Sequence, residues 1–328
     1  MKKIVNNPND VVKDMLAGME LSHPSLKYTP ELEVISRREK VEKVGLVSGG
    51  GSGHEPSHAG YVGYGMLDAA VCGNVFASPS PDRILEGIEE ADTGKGVLLI
   101  VKNYSGDIMN FEIAQDMCDI EEDMIDMVIV RDDVAMEDSD YSTGRRGIAG
   151  TIFIHKIAGA MSERGENLSE VKRVAQKTID NVRSMGMSMS SCTIPAVGKP
   201  GFEIKDDEIE IGMGIHGEAG IYKKPIMNAK ELAEELLGKI TDDFEYENAD
   251  VAVMINGLGA TPLMELYIMS KEVLEVLESK HIKAYKVFVG NYMTALEMAG
   301  CSVSILKLDD ELKSLIDDKC DTLAMKNR

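Results

Sequence analysis

The chain has 328 residues, 44% of them hydrophobic and 28% charged, which excludes a disordered or fibrous protein and leaves room for two domains. Its formal net charge of −21 excludes nucleic acid and anionic membrane surfaces as expected partners. Five cysteines, odd in number and without a C-x-x-C pair, argue for reduced thiols and against a disulfide or zinc framework.

At the start, Lys2 and Lys3 are followed by Asn6, Asn7, Pro8 and Asn9, so no apolar signal segment is expected there. No apolar run is long enough to span a membrane, and a cytoplasmic protein is expected. Residues 10–19 repeat Val11, Val12, Met15, Leu16 and Met19 at helical spacing, with Asn9 or Asp10 as the cap. Residues 20–42 are polar and read as irregular.

A short apolar strand at 44–47 then runs into Ser48, three glycines, Ser52, Gly53 and His54. A strand followed by a glycine-rich loop presents backbone N–H groups to a small anionic or polyhydroxyl ligand. Glycine suits such loops because they use positive φ and admit a ligand close to the backbone. The stretch is not a Walker A loop, because no Lys-Ser/Thr pair follows the glycines. It is also a poor dinucleotide fingerprint, because Glu55-Pro56 stand where a third glycine is needed. The letters H-E-x-x-H do occur, from His54 to His58. Pro56 between the histidines argues against the continuous helix that a zinc site of this type needs, so no metal is expected.

Further on, 69–76 reads as a strand, Ser80-Pro81-Asp82 as a helix start, and 96–101 as a strand buried on both faces. That strand ends in Lys102-Asn103-Tyr104-Ser105-Gly106-Asp107, ahead of a helix at 108–118. The acidic run 119–126 reads as a solvated loop, 127–130 as a strand, and 147–162 and 169–185 as helices. Strands are expected at 187–194, 202–204 and 208–215, the last two paired as a hairpin. Asn228 caps a helix. A strand at 251–255, a helix at 262–278, a strand at 283–289, a short helix, a strand at 302–307 and a helix from Asp309 complete the pattern. The expectation is an α/β fold of two domains, 1–185 and 186–328, with mainly parallel central sheets and a β-hairpin in the second. No internal repeat is visible.

Ligands of open α/β sheets bind beyond the carboxyl ends of strands. Four such ends combine glycine with polar groups, after Val47, Val101, Ile215 and Ile255. His216, bracketed by glycines, is a reachable nucleophile for a ketone carbonyl, or else a surface histidine in a turn. His54 can serve as a general base near neutral pH. Asp107 can orient that histidine or take a hydroxyl proton, or it can simply cap the following helix. Lys102 can hold a substrate oxygen or snorkel at a sheet edge. Arg145 and Arg146 can bind phosphate or balance charge at the surface. The 21 methionines, Met185, Met187 and Met189 among them, read as core and strand filler. The residues alone fit a small polar substrate and name no reaction.

Six motifs in order add to this: SGGGSGHEPSHAGYVGYGML at 48–67, VKNYSGDIMNFE at 101–112, GRRGIAGT at 144–151, CTIPAVGKPGFE at 192–203, GIHGEAG at 214–220 and NGLGATPLMELY at 256–267. Through them nearly the whole chain resembles the dihydroxyacetone-binding K subunits of dihydroxyacetone kinases. The resemblance implies that His216 binds the ketone covalently as a hemiaminal, and that His54 and Asp107 assist transfer to the terminal hydroxyl. It implies that Gly51, Ser52, Gly53 and Lys102 hold the substrate. It further implies a homodimer with no cofactor of its own. A separate L subunit would carry Mg–ADP or Mg–ATP, replenished by a phosphotransferase-system protein with phosphoenolpyruvate as the ultimate donor. Two other readings stay open: a non-catalytic paralogue acting as a transcriptional coactivator, and a kinase subunit for a four-carbon ketose. The sequence departs from the family pattern at Ala219, where proline is expected, and in its polar tail after Asp321.

Overall fold

The computed structural model describes residues 2–136, 144–217 and 220–327. Its first sheet begins after helix α1 (Val11–Ser22) and takes six strands: β1 (Leu26–Thr29), β2 (Val34–Arg37), β3 (Gly45–Ser52), β4 (Ala69–Val75), β5 (Val97–Lys102) and β6 (Ile125–Val130). Their spatial order is β1-β2-β4-β3-β5-β6, with β3 parallel to β4 and β5, and β5 parallel to β6. Helices α2 (Pro81–Ala91) and α3 (Ser105–Met117) connect the parallel strands.

Two helices follow, α4 (Thr151–Glu163) and α5 (Leu168–Asn181). Every residue of α4 from Thr151 to Ser162 is buried, His155 and Lys156 among them, so the helix is enclosed by protein on all sides. One hydrophobic cluster joins Leu46 and Ile100 of the first sheet to Ile152, Ile157, Val171 and Val174 of these helices, and to Met254 and Leu306 beyond them.

The second sheet holds β7 (Val182–Ser188), β8 (Glu208–Ile211), β9 (Tyr222–Pro225), β10 (Asp250–Gly257), β11 (Lys283–Gly290) and β12 (Gly300–Leu308), in the order β11-β10-β12-β7-β8-β9. Helices α6 (Ala229–Asp243) and α7 (Leu263–Ser279) pack over a second cluster that includes Leu236, Val253 and Leu266. Asn228 caps α6 through a reciprocal bond with Glu231. Helix α8 (Asp310–Asp317), capped by Asp309, leads to a last short pair, β13 (Cys320–Asp321) and β14 (Lys326–Asn327). Among the described residues no helix is long and apolar enough to cross a membrane.

The α/β class is as expected, with differences inside it. In the second sheet β10–β11 is parallel, while β10–β12, β12–β7, β7–β8 and β8–β9 are antiparallel. A buried apolar run reads the same in either direction, so the expectation of a parallel sheet does not carry over to these pairs. The hairpin exists, but β8 and β9 form it; 202–204 is irregular. The polar stretch 20–42 holds β1 and β2, whose buried Val34 and Ile35 continue the first sheet. The end of the long helix expected at 169–185 is the start of β7, and no helix forms between β11 and β12. Met185 and Met187 are core residues, as expected, whereas Met189 is exposed.

Candidate active site

The glycine run is not a loop beyond β3 but its carboxyl half, with every residue of β3 buried. At Gly50, φ is +145°, and a Cβ there would strike the Lys102 ammonium and come within 3.3 Å of Asp107 Oδ2. The bare backbone therefore makes room for a charged pair rather than for bulk. Lys102 closes the central strand β5 and is fully buried, not at a sheet edge. Its Nζ donates to the Gly49 carbonyl at 3.0 Å, lies 3.0 Å from His58 Nε2 and stands 3.6 Å from Asp107 Oδ2. Burial lowers the Lys102 pKa and Asp107 works against that shift.

Asp107 sits in the first turn of α3, which begins at Ser105, so it is not the helix cap. Its Oδ1 is buried without a hydrogen-bond partner among the described residues. A carboxylate held by an ammonium at one oxygen and bare at the other is suited to accept a proton from a hydroxyl.

His54 follows Gly53, whose φ of +102° brings its missing Cβ position to 2.7 Å from the Phe76 ring. The imidazole is fully buried, and Nδ1 lies 2.8 Å from the Thr294 carbonyl. A carbonyl only accepts, so Nδ1 carries the proton and Nε2 keeps its lone pair. Nε2 has no hydrogen-bond partner among the described residues. Burial first, then His216 and Lys102, hold the His54 pKa well below its ordinary value. His54 is thus a neutral acceptor aimed into the site. The two residues before Thr294 are held by Asn256, whose Oδ1 accepts from Tyr292 and Met293 N–H and whose Nδ2 donates to the Met293 carbonyl. The strand end after Ile255 therefore supports the site from behind.

His216 lies on the β8–β9 loop, braced at its base by Arg146 donating to the Gly212 carbonyl at 2.9 Å. Its ring is met by Tyr104 at 4.5 Å, His54 at 4.7 Å and Phe76 at 5.6 Å between centroids. The loops after β3, β4 and β5 thus converge on one imidazole from the second sheet. Phe76 and Tyr104 were not singled out by sequence; Tyr104 lies within a quoted motif, while Phe76 has only its place at the end of β4 as a signal. The segment from His54 to His58 is not helical, and the two histidines take separate partners. Among the described residues no cluster of His, Cys, Asp or Glu is arranged to hold a metal ion.

The remaining candidates are engaged. The Ser52 hydroxyl donates to the Gly73 carbonyl at 2.7 Å, and Gly51 backs onto Phe76 and Ala77, so what these residues offer a ligand is backbone. Arg145 forms a bidentate pair with Asp243, and Arg146 pairs with Asp133. Ala219 lies outside the described residues.

The Dak1 domain family matches residues 17–324. A Listeria innocua protein named "PTS-dependent dihydroxyacetone kinase 1, dihydroxyacetone-binding subunit DhaK" is 53% identical, covering 95% of both chains. A Lactococcus lactis protein similarly named DhaK is 48% identical over 97% of both. Among solved structures, the dihydroxyacetone kinase of C. freundii superposes with a TM-score of 0.89 at 34% identity, over 99% of this chain and 60% of that one. The "Dihydroxyacetone kinase operon co-activator Dha-DhaQ" superposes with a TM-score of 0.88 at 32% identity, over 96% and 98%. The likeness in fold therefore spans both enzyme and regulator, and the sequence relatives named above are kinase subunits. The chain belongs to the Dak1-domain family, alongside the dihydroxyacetone-binding subunits that it matches over nearly its whole length.

Proposed function

We propose that this chain is the substrate-binding subunit of a dihydroxyacetone kinase. An imidazole nitrogen of His216 adds to the ketone carbon; a C–N bond forms, the carbonyl electron pair moves to oxygen, and the ring N–H proton ends on that oxygen. The result is a hemiaminal, which glycerol cannot form because it has no carbonyl. The terminal hydroxyl then gives its proton to Asp107 Oδ1 or His54 Nε2 as its oxygen takes the phosphoryl group; reversal of the addition breaks the C–N bond, returns the proton to the ring and releases dihydroxyacetone phosphate.

The phosphoryl group comes from a Mg–nucleotide on a separate L subunit, with a phosphotransferase-system protein and phosphoenolpyruvate behind it. This chain spans 60% of the C. freundii dihydroxyacetone kinase, and the remainder of that polypeptide is room for such a module. A cytoplasmic homodimer completes the reading.

The observation that carries it is the pairing of His216 with a buried neutral His54, beside a lysine–carboxylate pair that keeps one oxygen bare. The coactivator reading is supported by the fold likeness to that regulator; presence of His54, Lys102 and Asp107 together favours catalysis. Calorimetric titration with dihydroxyacetone, with glycerol and a His216→Ala variant as controls, tests the binding step. Heat from the ketone alone, lost in the variant, is expected; tight binding retained by the variant would remove the hemiaminal. Binding without turnover on reconstitution with an L subunit would favour the coactivator. Erythrulose in the same cell tests the four-carbon substrate.

A further inference from the structure

A chain of buried side chains runs inward from Asp107 through Lys102 and His58 to His155. Lys102 Nζ lies 3.0 Å from His58 Nε2; His58 Nδ1 lies 3.0 Å from His155 Nε2 and 3.4 Å from Ser48 Oγ. Lys102 and His155 are fully buried, and His58 is 4% exposed.

Donor and acceptor counts fix the direction of this chain. An ammonium can only donate, so His58 Nε2 is unprotonated and accepts. The neutral imidazole then carries its proton on Nδ1. Ser48 uses its own proton on the Ile100 carbonyl at 2.7 Å, so it offers no competing donor. His58 Nδ1 therefore donates to His155 Nε2, which places the proton of His155 on its Nδ1. That atom is buried and has no partner among the described residues, the terminus of the chain.

We infer that His58 and His155 are positioning residues, a one-way hydrogen-bonded pair that holds the Lys102 ammonium against Asp107. Of the three Lys102 protons, one goes to Gly49, one to His58, and the third faces Asp107 Oδ2. This selects Oδ2 as the occupied oxygen and leaves Oδ1 for the substrate. Without an acceptor at His58, a second proton of Lys102 is unpaired in a dry interior, and the ammonium must turn to find a partner. The packing leaves little room for this, because Gly50 already stands against Nζ. Burial and the Lys102 charge keep both imidazoles neutral, the His155 pKa falling to about 3, so the pair acts as a fixed dipole and not as a proton store.

Only the kinetic arm of the test rests on the kinase reading. In the first arm, nitrogen-15 NMR of histidine side chains in the wild-type protein at pH 7 reads the tautomers. Besides the Nδ1 proton of His54, Nδ1 protons on His58 and His155, each assigned by loss of its signal in a single variant, are expected. A proton on His58 Nε2 would overturn the inference, whatever the catalytic activity. In the second arm, with a reconstituted partner subunit, His58→Leu should lower kcat by up to about 100-fold with the KM for dihydroxyacetone little changed. His58→Gln, whose amide oxygen can replace Nε2 as acceptor, should recover most of that loss. Equal loss in both variants would also overturn it. If wild type transfers no phosphoryl group, the kinase reading fails while the tautomer arm still decides the inference.

Discussion

The His216 imidazole meets the His54 imidazole edge-on, centroids 4.7 Å apart and planes at 79°. Two rings this close repel each other when both are charged, and the buried one stays neutral. His54→Ala and Asp107→Asn should therefore retain ketone binding, which the proposed function assigns to His216, and lose roughly 10²–10⁴-fold in phosphoryl transfer. Calorimetry and a coupled assay separate the two effects. Normal turnover in both variants would remove their roles as proton acceptors.

The three buried histidines make acid stability a second readout. Each of His54, His58 and His155 has a folded pKa below its unfolded value near 6.5, so the unfolded chain binds their protons first. Stability is then full above pH ~6.5 and falls as pH drops below it, by up to ~1.4 kcal/mol per pH unit for each histidine. Asp133, raised to about 6 by burial, has the opposite sign and offsets part of this below pH 6. Urea unfolding between pH 7 and 5 should show a downward slope. His155→Phe should flatten it by about one proton, and an unchanged slope would show that His155 is not neutral in the fold.

Gly50 and Gly18 make a contrasting pair. Gly50→Ala adds a methyl against the Lys102 ammonium at φ +145° and should cost about 1–3 kcal/mol, together with ketone binding. Gly18 lies within α1 with nothing near its Cβ position, so Gly18→Ala should stabilise by about 0.5–1 kcal/mol and leave binding alone. Thermal melts beside calorimetry compare them. A Gly50→Ala protein that melts and binds as wild type would contradict the crowding at Lys102.

Asn256 tests how the second sheet aims a residue of the first. Asn256→Ala leaves the N–H groups of Tyr292 and Met293 and the Met293 carbonyl without their partner, at a cost of about 2 kcal/mol or more. The Thr294 carbonyl that holds His54 Nδ1 should then move. Phosphoryl transfer and stability should fall together at little-changed ketone affinity, and lost stability with unchanged transfer would separate the loop from the site.

His54, Lys102, Asp107 and His216 were legible because glycine with polar residues at a strand end is a local pattern. The environment of each was less so. The edge reading of Lys102 stays open beside the substrate one because its acceptors, Gly49 and His58, lie in another segment. The cap reading of Asp107 stays open beside the functional one because a shift of a few residues decides where α3 begins. Phe76, Thr294 and the His58–His155 contact require segments that only the fold brings together. The first sheet's parallel centre followed from alternating strands and helices, while the direction of β7, β10 and β12 left no mark in their apolar runs.

The closing strands β13 and β14 settle on the segment just beyond the glycine strand. Asp321 N–H donates to the Tyr64 carbonyl, Ala324 N–H donates to the Gly60 carbonyl, and Gly65 backs onto Lys319 and Cys320. During synthesis the first sheet can assemble early, yet residues 60–65 wait for partners at residues 319–324. An emerging chain therefore carries this segment uncovered until residues 319–324 have left the ribosome, and a polypeptide cut short before residue 319 would expose it for good.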